Sequence, residues 1–216
     1  MFHVKHSDLR PSILEYLDSL ALGQRAEEAV SRLESFAEVL LKQASRRNLV
    51  SASQRNPEAV WSHILDSLQS LSLPSIRTAP ILIDAGSGAG LPGIPLALAR
   101  PDATVWLVER SSAKAEFLEL ARALVPVMNI EVQSKELKAL SSAAPVLARA
   151  LVQPEAWPAL VRGSRLTGSW IVYSTENNRK DWERAAKECD FAIKSAHEYN
   201  LPGKSAIRTI LEFSRK

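Results

Sequence analysis

A single cysteine, Cys189, stands in a chain of 216 residues. That excludes an intramolecular disulfide and any cysteine-rich zinc cluster. It also suits a reducing compartment, so a cytoplasmic protein is expected. No run of about 18 or more uncharged apolar residues occurs, and no transmembrane helix is expected. The N-terminal Met1-Phe2-His3-Val4-Lys5-His6 lacks the long apolar core of a secretory signal. Internal repeats and low-complexity tracts are missing as well. Charge is nearly balanced: the formal net charge is +3, which accommodates a polyanionic partner without demanding one. What is present, 46% hydrophobic and 24% charged residues, is the balance of an ordinary globular protein. The length allows one sizeable domain, or one domain with an extension.

The chain changes texture near residue 74. Before it, apolar residues repeat at helical spacing. Leu14, Leu17, Leu20 and Leu22 predict a short helix, and Ala26, Ala29, Val30, Leu33, Phe36, Ala37, Leu40 and Leu41 a longer one. Asn56-Pro57-Glu58 supplies an N-cap and a first-turn proline for a third helix through Val60, Trp61, Ile64, Leu65 and Leu68. Residues 74–80, with proline at both ends, read as a linker. After it, short apolar runs alternate with helical stretches, the pattern of a parallel sheet covered by helices. Strands are expected at Ile81–Asp84, Thr104–Glu109, Ile130–Gln133, Val146–Arg149, Gly168–Tyr173, Phe191–Glu198 and Ala206–Phe213. Helices between them are expected from about Leu91, Ser112, Pro154 and Asp181. The last two strands, joined across Pro202-Gly203, are expected to form an antiparallel hairpin closing the sheet. The division is therefore a helical extension, 1–73, packed on an α/β core, 74–216.

Glycine is scarce, eight residues in all, yet Gly86, Gly88, Gly90 and Gly93 crowd into one segment between a strand and a helix. Such clustering lets the chain turn sharply and lets backbone approach a ligand with no Cβ in the way. Gly88, Gly90 and Gly93 satisfy the dinucleotide pattern G-x-G-x-x-G. Asp84, Gly86, Gly88 and Gly90 satisfy D-x-G-x-G-x-G, typical of proteins that bind S-adenosylmethionine. The second is preferred, because Asp84 can hold the cationic methionine part of that cofactor and would face a pyrophosphate badly. Glu109, at the end of the next strand, can accept hydrogen bonds from both ribose hydroxyls. No Tyr-x-x-x-Lys pair or second domain serves a dehydrogenase, and no Gly-Lys-Ser/Thr makes a Walker loop.

The segment Gly86-Ser-Gly-Ala-Gly-Leu-Pro-Gly-Ile-Pro-Leu96 closely resembles the loop of the bacterial RsmG (GidB) family. Asn48-Leu-Val-Ser51, His63-Ile-Leu-Asp-Ser-Leu68, Ser112-Ala-Lys-Ala-Glu-Phe-Leu118 and Arg149-Ala150 are similar to its other motifs. They occur in order from about residue 35 to the C-terminus. The resemblance implies a Rossmann-like class I methyltransferase with a doubly wound, mostly parallel seven-stranded sheet. It implies methyl transfer from S-adenosylmethionine to the position-seven ring nitrogen of one guanosine in 16S rRNA, in the small ribosomal subunit or its precursor. It places cofactor contacts at Gly86, Leu91, Glu136, Leu137 and Arg149. The chain departs from the family pattern at Lys135-Glu136-Leu137, where Arg-Ala-Glu is usual, and at Ser174-Thr175, where Lys-Gly is common.

The chemistry asks little of the protein. The target nitrogen carries a lone pair and no proton, so no general base and no metal are required, and proximity and alignment are the main needs. The Asn/Asp-Pro-Pro-aromatic motif of exocyclic-amine methylation is missing, as is a Pro-Cys nucleophile; Cys189 reads as structural. Asp84, Glu176 and the tryptophans are candidates to stabilise the charged product, and the sequence does not choose among them. Arg149 suits the cofactor, phosphate or guanine. His63 and Asp66 share a helix face and are expected to anchor that helix over the cofactor. Arg46, Arg47 and Arg55 are candidates for RNA phosphates. The alternatives are a small-molecule methyltransferase, an NAD(P)-dependent oxidoreductase and a non-catalytic RNA chaperone. A monomer is expected, since no exposed heptad seam is evident.

Overall fold

The structure, a computed structural model, describes residues 9–21 and 24–216. The N-terminal hexapeptide and Leu22 therefore lie outside the described residues. Helix α1 (Leu9–Ser19) forms as expected but buries Leu9, Ile13 and Leu17, so of the stripe read from the sequence only Leu17 is fully buried, while Leu14 and Leu20 are half-buried. Helix α2 (Gln24–Ala44) buries the stripe its spacing predicts, Ala26 through Leu40. Helix α3 (Pro57–Leu68) starts as expected. The Asn56 side chain accepts from the Ala59 N–H at 2.9 Å, and Pro57 occupies the first turn, where a missing N–H costs little. The expected linker is a short helix instead, α4 (Pro74–Thr78). Pro74 breaks the preceding helix but is well placed to begin a new one.

The core then alternates β1 (Ile81–Ala85), α5 (Gly93–Ala99), β2 (Thr104–Val108), α6 (Ser112–Leu124), β3 (Ile130–Gln133), β4 (Ser141–Ser142), β5 (Val146–Arg149), β6 (Arg165–Leu166), β7 (Trp170–Thr175), β8 (Phe191–Tyr199) and β9 (Arg208–Arg215). Helix α7 (Trp157–Arg162) precedes β6, and α8 (Arg179–Lys187) precedes β8. The main sheet has seven strands in the order β3-β2-β1-β5-β7-β9-β8. Strands β3 through β7 run parallel, while β9 lies antiparallel to both β7 and β8. The closing hairpin is present, but its connection is the longer stretch 200–207, not a bare Pro-Gly turn. The tiny β4–β6 ladder was not foreseen.

Alternation along the strands builds two cores. Leu82, Val105, Leu107, Leu147, Ile171 and Ile210 face one side, in the cluster shared with α1, α2, α3, α5 and α6. Ile83, Ala85, Val146, Ala148, Val172 and Phe213 face the other, with α7 and α8. Trp157 centres that second layer, with ring centroids 5.1–6.1 Å from Trp170, Trp182, Phe191 and Phe213. Cys189, just past α8, is buried there, as a structural cysteine would be.

Candidate functional site

Strand β1 has β2 on one side and β5 on the other, so the sheet changes winding direction at its carboxyl end. Open α/β sheets have their ligand crevice at such a point. Here the loop from β1 to α5 occupies it. Gly86, Gly88 and Gly90 stand at φ of +73°, +51° and +78°, a region most side chains avoid. Gly93 is needed for proximity: a Cβ on it would sit 2.3 Å from Leu107 Cδ2 and 2.6 Å from Asp84 Oδ2. The Gly93 N–H donates to that same carboxylate at 3.0 Å.

Two acids brace this loop. Asp84 is 1% exposed, and burial pushes its pKa up to about 7, against the opposing pull of the Gly93 N–H. It points into the start of α5, outside the cleft wall. Glu109 accepts from the Gly88 N–H at 3.0 Å and the Ser111 N–H at 2.8 Å. Each of its oxygens keeps a lone pair for another donor.

Beside the loop opens a cleft of about 570 Å³, within the size range of small-molecule sites, roughly 300–1,000 Å³. The glycine loop forms one wall and the ends of β5 and β7 another, while α3 and the segment before it close the side. Arg149, the last residue of β5, is held there from two directions. Its Nε donates to Asp66 Oδ2 at 3.0 Å, and its Nη2 lies 2.6 Å from His63 Nδ1. Asp66, 1% exposed, also accepts from Tyr199 OH at 2.7 Å and Arg208 Nη1 at 3.1 Å. Tyr173 OH donates to the Ser67 carbonyl at 2.7 Å. One carboxylate on α3 thus ties that helix to β5, β8 and β9.

Electrostatics follow from this packing. Desolvation, aided by the Arg149 charge, holds the His63 pKa down to about 4, so the imidazole is neutral near pH 7. Tyr199 is pushed far up, first by burial and then by the Asp66 charge beside its hydroxyl. The cationic groups on the cleft wall are Arg149 and Arg208.

Of the residues singled out from the sequence, Gly86, Gly88, Leu91 and Arg149 line the cleft. Asp84, Gly90 and Glu109 are not among its lining residues; Asp84 braces the loop through the Gly93 N–H, and Glu109 through the Gly88 N–H with a lone pair left on each oxygen. Glu136 and Leu137 lie beyond β3; Glu136 is exposed and paired with Lys138 at 2.6 Å, and Leu137 packs on the second core. Among the tryptophans Trp182 reaches the cleft wall, whereas Glu176 is exposed beyond β7. Arg47 is spent on Ala113 O and Glu116 of α6, and Arg55 on Val50 O and Asn48, while Arg46 is exposed. His63 and Asp66 share a face of α3 as expected, but each binds Arg149 rather than the other. No sequence signal marks Tyr199 and Arg208, whose partner Asp66 lies more than a hundred residues away. A usable signal existed at the other end: an aspartate amid Ile64, Leu65 and Leu68 on a buried helix face must find donors.

The family model described as rRNA small subunit methyltransferase G (GidB) matches residues 29–211. The ribosomal RNA small subunit methyltransferase G of Nitrosomonas europaea is 40% identical over 187 residues, covering 84% of this chain and 85% of that protein. The protein of the same description from Myxococcus xanthus is 32% identical over 213 residues, covering 92% and 97%. Among solved structures, the S-adenosylmethionine-dependent methyltransferase SibL superposes with a TM-score of 0.58 at 19% identity, over 94% of this chain and 72% of that one, a likeness of fold.

Proposed function

The chain belongs to the rRNA small subunit methyltransferase G (GidB) family, and from that premise we propose how its cleft serves methyl transfer. The activity is that of an S-adenosylmethionine-dependent methyltransferase acting at the N7 of a guanosine in 16S rRNA. When bound, S-adenosylmethionine supplies a methyl group made electrophilic by its sulfonium centre. The fit of that cofactor rests on a wall bare of side chains: a Cβ on Gly88 would meet nothing nearer than Gly86 O at 3.7 Å. Gly86, Gly88 and Leu91 hold its body against the loop. Glu109 receives the ribose hydroxyls on its remaining lone pairs, and Asp84 supports the loop from inside rather than touching ligand. Glu136 and Leu137 serve the adenine end through backbone.

Arg149 stands on β5, the strand beside the loop, with Nε and Nη2 fixed, so its remaining N–H groups present a preset donor face. The lone pair of N7 attacks without losing a proton, and no residue of the cleft has to act as a base. The substrate is the RNA of the small subunit or its precursor, met by a monomer in the cytoplasm. Residues 1–73 act as a helical extension of the 74–216 core, with α3 forming part of the substrate wall.

The observation that carries this reading is the glycine loop and a clamped arginine lining one cleft at the switch point of the sheet. The test is transfer of labelled methyl from S-adenosylmethionine to purified small subunits, followed by strand scission at 7-methylguanosine. One labelled position in 16S rRNA is expected. Saturable cofactor binding with label in no RNA would overturn the RNA reading in favour of a small-molecule substrate, and binding of a nicotinamide dinucleotide alone would overturn the methyltransferase reading.

A further inference from the structure

His63 is half-buried on α3 and forms part of the cleft wall. Its Nδ1 lies 2.6 Å from Nη2 of Arg149. A guanidinium has donors only, so Nδ1 must accept, and a neutral ring then carries its proton on Nε2. Among the described residues that Nε2 has no hydrogen-bond partner, and it is not sealed from solvent. The ring therefore offers one uncharged N–H donor, oriented by Arg149, to whatever enters the cleft.

Guanine presents two acceptors on its major-groove edge, N7 and O6, whereas adenine presents N7 and an amino donor. A free arginine fork would take both acceptors of guanine and occupy the lone pair that has to react. Arg149 has Nε and one N–H of Nη2 engaged by Asp66 and His63, so that side of its fork is closed to the base. A single N–H directed at O6 holds the base and leaves N7 unbonded. An uncharged donor also adds no repulsion as the purine becomes cationic. Adenine would set its amino group against the imidazole N–H, leaving two donors unpaired.

We infer that the Nε2–H of His63 donates to O6 of the target guanine, making His63 the residue that distinguishes guanine from adenine and turns N7 toward the methyl donor. The inference rests on the function proposed above.

The test separates the two ring nitrogens. Asparagine at 63 places an amide oxygen near Nδ1, keeping the Arg149 contact, and ends short of Nε2; glutamine reaches the Nε2 position with an N–H. Wild type, His63→Asn and His63→Gln are assayed on small subunits reconstituted with guanosine or with 2-aminopurine, which lacks O6 and retains N7, at the target position. Wild type is expected to prefer guanosine by about 10- to 100-fold. His63→Asn should lose most of that preference, and His63→Gln should restore much of it. Cofactor affinity, measured by calorimetry, should stay the same in wild type and His63→Asn, which keeps the Arg149 contact. Equal wild-type rates on the two RNAs would overturn the inference without any variant. So would a preference intact in His63→Asn and lost in His63→Gln, which is the signature of a mere Arg149 anchor. If wild type methylates neither RNA, the reading of function falls, and the inference with it.

Discussion

Asp66 shows what a buried carboxylate does when its donors come from far along the chain. It accepts from Arg149, Arg208 and Tyr199 and is 1% exposed. Removing one partner of a buried ion pair leaves a charge without compensation, which typically costs about 3–5 kcal/mol. Asp66→Ala is expected to lose that much stability in urea denaturation, and Arg149 would lose its orientation. A loss under about 1 kcal/mol would mean that solvent already reaches the pair. Asp84 behaves differently because its partner is a backbone N–H rather than a cation. Its folded pKa is about 7 against an ordinary 3.8. Between those values the folded protein holds a proton that the unfolded chain has released. The stability contribution is therefore full below pH 3.8 and is lost as pH rises to about 7. At 1.36 kcal/mol per unit the whole swing is about 4 kcal/mol. Asp84→Asn can still accept from Gly93 and has no charge to bury. Its stability relative to wild type should rise between pH 4 and 8, read from urea midpoints; a constant difference would show that Asp84 does not titrate in that window.

At the scale of elements, the loop between β1 and α5 is built on contact as much as on conformation. Gly93→Ala would press a methyl into Leu107 and Asp84, and overpacking of this kind costs about 1–3 kcal/mol. The helix start would shift from β1, so cofactor affinity should fall with stability. Gly203 is the control: at φ +70° a Cβ there meets nothing within 4 Å. Gly203→Ala should cost about 1–2 kcal/mol from left-handed strain alone and leave cofactor affinity unchanged. Equal effects of the two on binding would refute a packing role for Gly93. The same distinction explains what the sequence disclosed. Strands β1, β2 and β5 were legible because parallel strands buried on both faces read as largely apolar runs, and the edge strand β3 because Ile130 and Val132 alternate with Glu131 and Gln133. Helices α2 and α3 were legible from a 3.6-residue stripe and a local cap. The β4–β6 ladder was not, since two-residue strands have no period. Helix α4 was misread because Pro74 both ends one helix and begins the next. The glycine loop was visible because its constraint is local, whereas the Asp66 network joins α3, β5, β8 and β9 and shows locally only at its α3 end, as an aspartate on an apolar helix face.

On the scale of the whole molecule, the question is whether the helical extension is a separate body. Helix α2 packs on α3, α5 and α6, and α3 packs on α5, so the first helices and the core sheet share one apolar cluster. That cluster runs from Leu9 and Ile13 through Phe36 and Leu40 to Ile94, Phe117 and Ile210. Without residues 1–73, α5 and α6 would present that surface to water, at roughly 25 cal/mol per Å² of apolar area. The extension also supplies His63 and Asp66, so Arg149 would lose both of its anchors. The full chain is therefore expected to unfold in one cooperative calorimetric transition, with equal van't Hoff and calorimetric enthalpies. Residues 74–216 expressed alone should show no such transition and no saturable binding of S-adenosylmethionine. Two resolved transitions, or a truncated core that melts sharply and binds cofactor, would make the extension an independent domain. In that case α3 would have to reach the cleft by docking, and the Asp66–Arg149 pair would be an interdomain contact able to open.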